Sequence, residues 1–114
     1  MKYKITLVSL FCFAAIMLHS NTDIPQPTGW VNDYAGVLTE ANKAELTNWL
    51  TELKEKTDVE MAIAIFADIG GMDYSNFATD LFRAWGVGNI KDEGILLLIA
   101  VQERKIKFEV GYGS

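Results

Sequence analysis

Three stretches of this 114-residue chain carry carboxylates whose type and spacing could do chemistry: Asp33, Asp68 with Asp73, and Asp92 with Glu93. Carboxylate oxygens suit a hard cation such as Ca²⁺ or Mg²⁺. Softer ligands are scarce, because the only cysteine (Cys12) and the only histidine (His19) both fall in the first 20 residues, inside a hydrophobic leader. If that leader is removed, thiol catalysis, disulfides, Cys-ligated zinc, imidazole bases and a Ser-His-Asp triad are all excluded. Ser75, the sole serine between the leader and Ser114, has no base to activate it. Taken singly, the acids have plainer uses. Asp73 reads as a helix cap, and Asp68 and Glu93 as solvated loop charges. The glycines offer no phosphate cradle: neither a P-loop nor a dinucleotide fingerprint is present, and Gly86-Val87-Gly88 follows a helix rather than a strand. An oxygen-ligated metal site is the one chemistry the residues leave open.

Charge narrows the partners. Lys and Arg number 10 against 15 Asp and Glu, and loss of Lys2 and Lys4 with the leader leaves 8 to 15, a net charge of −7. An acidic chain without a basic run or aromatic platform excludes a nucleic-acid partner. Met1-Lys2-Tyr3-Lys4 followed by an apolar run over residues 5–18 has the pattern of a secretory signal peptide. The run is shorter than the roughly 20 residues of a spanning helix. Residues 1–20 are therefore a signal peptide, or an uncleaved anchor, since Leu18-His19-Ser20 supplies a small residue only at its last position. The expected location is the periplasm or cell envelope. Residues 21–28 hold both prolines, Pro25 and Pro27, and read as a linker into a single domain over 29–114.

The elements that must position the acids follow from periodicity. Thr39 has N-cap chemistry, Glu40 puts negative charge in a first turn, and Leu46, Leu50 and Leu53 form a helical stripe widened by Trp49. Residues 59–66 read as a largely buried strand. Asp73 opens a second helix, on which Tyr74, Phe77, Ala78, Leu81, Phe82 and Trp85 fall at helical spacing. After a glycine-punctuated loop over 86–94, the seven apolar residues 95–101 predict a central strand covered on both faces. Residues 106–110 alternate, completing an antiparallel hairpin whose second strand has one charged face. The stretch 29–38 shows no lasting period. Strand, helix, central strand implies a right-handed crossover and an α/β class, an open mixed sheet with helices packed on it. Asp68 then belongs at the carboxyl rim of the strands, and Asp92 and Glu93 at the opposite rim unless their loop folds back. Two helices and three clear strands leave one sheet face thinly covered, and the sequence reads as a domain cut short after the last strand.

Four motifs occur in order: Trp30-Val31-Asn32-Asp33-Tyr34-Ala35-Gly36-Val37-Leu38-Thr39, Leu81-Phe82-Arg83-Ala84-Trp85-Gly86-Val87-Gly88, Asp92-Glu93-Gly94-Ile95-Leu96-Leu97-Leu98, and Arg104 through Gly113. Together they resemble the TPM domain, a family that includes thylakoid-lumen acid-phosphatase-like proteins and exported bacterial proteins. The resemblance implies a three-layer α/β/α sandwich on a mixed sheet, incomplete at the C-terminus here because relatives continue with helical segments. It implies divalent-cation binding, Ca²⁺ ahead of Mg²⁺. By matching positions it assigns Asp33, Asp92 and Glu93 as metal ligands, Glu93 standing where relatives often have Asn. It also implies a membrane tether, through the leader or a segment beyond Ser114. The expected function is an exported module that binds calcium through loop carboxylates and works with membrane-protein partners. The alternative is a metal-assisted acid phosphatase, in which a cation held by Asp33 and Asp92 polarises a phosphate monoester and only Arg83 and Arg104 could clamp it.

Overall fold

The computed structural model describes residues 24–88 and 92–111. The leader over 1–20, the first part of the linker and the tip of the glycine-punctuated loop lie outside the described residues. The elements are β1 (Val31–Asp33), α1 (Glu40–Thr57), β2 (Glu60–Phe66), α2 (Tyr74–Trp85), β3 (Gly94–Ala100) and β4 (Lys105–Gly111).

Both helices start and stop where their sequences dictate. The Thr39 hydroxyl accepts the Asn42 N–H at 3.0 Å, satisfying one of the donors left open in the first turn of α1. Asp58 closes that helix in the left-handed conformation (φ 64°), its N–H returning to the Lys54 carbonyl. Asp73 caps α2 by accepting the Ser75 N–H at 3.3 Å, and Gly86 ends it with φ 63°.

The sheet has four strands in the order β1-β2-β3-β4. The fourth is β1, within the stretch that shows no period: three residues are too few to display one. Strands β1, β2 and β3 run parallel, with Val31 opposite Ile63 and Ile63 opposite Leu97. The crossover through α2 is therefore as expected, and β4 returns antiparallel with Phe108 opposite Leu97.

Alternation sends the two faces of the sheet to different helices. Ala62, Ala64, Leu96, Leu98 and Ala100 pack with Phe77, Ala78 and Leu81 of α2. Val31, Ile63 and Ile65 pack with Leu50 and Leu46 of α1. Helix, sheet, helix gives the three layers of an α/β/α sandwich. One expectation needs correction. Strand β3 is covered fully on one face only, since Leu96, Leu98 and Ala100 are buried while Ile95, Leu97 and Ile99 are only partly so. The reason is placement: α1 packs on β1 and β2 and does not reach across to β3 and β4.

Candidate functional site

Parallel strands put the chain's loops at two opposite rims, and the candidate acids divide between them. Asp33 ends β1 at the carboxyl rim. Its Oδ1 accepts the N–H groups of Ala35 (3.1 Å) and Gly36 (2.8 Å), and its Oδ2 accepts that of Leu38 (2.8 Å). The carboxylate thus shapes the loop that delivers the chain to Thr39 and α1. Burial pushes its pKa up, but backbone donors from Leu38, Val37, Ala35 and Gly36 outweigh that and hold it below the ordinary carboxylate value.

Asp92 lies at the amino rim, just before β3. The last turn of α1 ends at the same rim and sends Lys54 into a charge cluster. The Lys54 Nζ donates to Asp92 Oδ2 at 2.6 Å and stands 3.3 Å from Glu60 Oε2. The other Glu60 oxygen accepts the Gly88 N–H at 2.9 Å. The hydrogen bond to Asp92 raises the pKa of Lys54 above the ordinary lysine value; burial opposes this, and the bond to Glu60 adds to it. Glu93 is exposed beside the cluster, its backbone carbonyl accepting the Glu60 N–H at 2.9 Å. A close backbone crossing builds this corner: a Cβ on Gly94 would lie 2.5 Å from the Val87 carbonyl oxygen, and one on Gly88 2.7 Å from the Gly94 nitrogen. Only glycine at both positions allows the loop to close against β3.

The structure therefore brings Asp92 and Glu93 to one rim and leaves Asp33 at the other. Asp33 is level with Ile65 and hence with Ile99. Five strand steps separate Ile99 from Gly94, roughly 16 Å. A hard cation gathers six to eight oxygens at about 2.3–2.6 Å, so Asp33, Asp92 and Glu93 do not fit a single ion. Among the described residues no group of three His, Cys, Asp or Glu side chains converges as a ligand set. The two arginines divide in the same way. Arg83 sits in the last turn of α2 at the amino rim, whereas Arg104 (φ 58°) lies in the β3–β4 turn at the carboxyl rim.

Beside the charge cluster, a cavity of about 320 Å³ opens at the amino rim between Pro27, Trp30, Thr47, Glu60, Trp85 and Val87. The Trp85 indole N–H donates to the Pro25 carbonyl at 2.8 Å, fixing one wall. Two side chains that sequence reasoning passed over brace the frame. Asn32, 1% exposed, accepts from the Thr28 N–H (2.6 Å) and donates to the carbonyls of Gly29 (2.9 Å) and Ile63 (3.1 Å). Glu103 holds the Ile69 N–H through Oε2 at 3.0 Å, while its Oε1 is the one buried side-chain oxygen among the described residues with no hydrogen-bond partner. A polar residue directly after the strand-forming Val31 was the only signal for Asn32; nothing local marks Glu103.

The family model described as the TPM domain matches residues 31–114. The solution NMR structure of the N-terminal domain of a protein from P. gingivalis is similar in fold, with a TM-score of 0.69 and 30% sequence identity. The match covers 81% of this chain and 66% of that one, so this chain spans just under two thirds of its neighbour's length. No curated protein matches.

Proposed function

The chain belongs to the TPM domain family, and on that premise we propose that it is an exported binding module that works with a membrane-protein partner in the cell envelope. The observation that carries this reading is the amino rim. An apolar cavity walled by Trp30 and Trp85 lies beside charges that are already matched to one another. A concave apolar surface with few oriented polar groups suits the capture of an apolar side chain. Export rests on the basic start and apolar run of residues 1–18. Hydrolysis of phosphate monoesters, the alternative that the family suggests, is favoured by no particular geometry: Asp33 and Asp92 are split between the two rims, and so are Arg83 and Arg104. A divalent cation, calcium ahead of magnesium, enters the proposal only through Asp92 with Glu93, and no chemical step is assigned to it.

A photoreactive residue placed at Trp30 tests the reading in intact envelopes, with the same residue at exposed Trp49 on α1 as the reference. The expected result is a membrane-protein adduct from position 30 and none from position 49. Equal labelling from both positions would overturn it. So would the lack of any adduct together with steady phosphate release from a monoester by the purified chain.

A further inference from the structure

The outer edge of β4 is unpaired among the described residues, because β4 ends the sheet order. An edge strand presents a row of free N–H and C=O groups, which proteins usually blunt or cover. Here the face beside that edge is also apolar. Ile106, Phe108 and Val110 are 63%, 55% and 45% exposed, and they continue the half-buried row of Ile95, Leu97 and Ile99 on β3. The opposite face of β4, the one turned toward α2, carries Lys105, Lys107 and Glu109, with Lys107 and Glu109 two residues apart and of opposite charge.

We propose that β4 pairs antiparallel with β4 of a second copy of this chain, about a two-fold axis at Phe108. This register is the one the charges select. Centred on Phe108, it sets Lys107 opposite Glu109 of the second copy, twice over, and Ile106 opposite Val110. Centred on Lys107, it would keep two opposite-charge pairs, Lys105 with Glu109, but set Lys107 against itself; centred on Glu109, it would set Glu109 against itself and leave Lys107 opposite Gly111. Opposed residues of antiparallel strands share a face, so the two Phe108 rings meet on the apolar side while both ion pairs lie on the other. Aromatic and opposite-charge cross-strand pairs are the units that stabilise such a ladder, and like charges in the same positions weaken it. The strand is its own complement in charge, in apolar face and in backbone, and this identifies the occupant as a second copy. Two four-stranded sheets then join into one of eight strands.

Sedimentation equilibrium of the full chain, in a non-ionic detergent that keeps the apolar leader from driving association, tests the register. The set is wild type, Lys107→Glu, Glu109→Lys and the double variant. Wild type and double variant are expected to dimerise, and each single variant to dissociate roughly tenfold more readily or beyond. Four chains that associate alike, a wild type that stays monomeric, or a double variant that behaves like the singles would each overturn the proposal. If a single variant fails to fold, Phe108→Cys in a Cys12→Ser background replaces it. Opposed Cα atoms about 4.5–5.5 Å apart can be bridged, so a disulfide dimer is expected from position 108 and none from Val101→Cys. No cross-link at position 108 would also overturn the proposal.

Discussion

Replacing Asp33 separates the two roles this acid could have. Its carboxylate accepts three backbone N–H groups, at 3.1, 2.8 and 2.8 Å, all within the loop leading to α1. Asp33→Ala removes all three, a loss comparable to a helix cap plus further charge-assisted bonds, about 2 kcal/mol. Asp33→Asn keeps an acceptor for Ala35 and Gly36 but turns an N–H₂ toward the Leu38 N–H, about 1 kcal/mol. In a domain of this size the melting midpoint should fall by roughly 10 °C for the alanine variant and about half that for asparagine. The assay is a thermal melt by circular dichroism in EDTA and again in millimolar calcium. A loop-shaping Asp33 lowers the midpoint equally in both. A gap between wild type and variant that vanishes in EDTA would refute the reasoning and make Asp33 a metal ligand, since a ligand stabilises only when its ion is bound. Acid supplies a second check. The folded pKa of Asp33 lies below its ordinary value of 3.8, so its contribution stands in full above that value. It drains away as the pH falls through the lowered folded value, and there the gap should close.

At the amino rim, Lys54→Met leaves Glu60 and Asp92 without their shared cation; the variant should be less stable at neutral pH, and calcium should raise its midpoint more than that of wild type in parallel melts. The folded pKa of Lys54 lies above 10.5, so its contribution is complete below that pH and lost as the pH rises through the folded value. Alkaline melts should therefore bring wild type and Lys54→Met together. Gly94→Ala would set a Cβ 2.5 Å from a backbone oxygen, whereas at Gly29 nothing lies within 4 Å. Urea denaturation should show losses of about 2–3 kcal/mol for the first and under about 0.5 kcal/mol for Gly29→Ala. Leu81, 0% exposed between α2 and the sheet, should cost about 3 kcal/mol when cut to alanine, measured in the same way.

The parts of the fold legible in the sequence are those written as long local patterns. Thr39, Asp73 and Gly86 announce helix ends because capping is a matter of one or two residues. The run after Gly94 announces a strand because seven apolar residues exceed what a turn can hold. What escaped is set by distance in the chain. Strand β1 has three residues and takes its identity from β2, some thirty positions on, through the pairing of Val31 with Ile63. The face that β4 turns to solvent depends on how far α1 reaches, a tertiary fact with no local signature. The acids follow the same rule. Asp92 and Glu93 could be assigned to the amino rim from strand direction alone, but the partner of Asp92 is Lys54, 38 residues earlier, and only packing reveals it.

The polar contacts at the two rims have a common effect on α1. Leu50, 8% exposed, is the one buried residue of that helix, while Trp49 in the same turn is 57% exposed. Helix α2 buries Phe77, Ala78 and Leu81, so it is held by apolar area in a way α1 is not. Each end of α1 is tied instead through an acid. Asp33 sets the loop that leads into Thr39, and Asp92 with Glu60 holds Lys54 in the last turn. Asp33 and Asp92 stand far apart because they serve opposite ends of one helix. Carboxylates that resemble one ligand set in the sequence are thereby explained as two separate clamps. The amino-rim clamp also keeps α1 against β2, where Thr47 and Glu60 line the same cavity as Trp30 and Trp85. On the proposed reading, fold and binding share Glu60: the side chain that steadies Lys54 also lines that cavity, and a partner seated there would meet an acid already neutralised by the helix it holds in place.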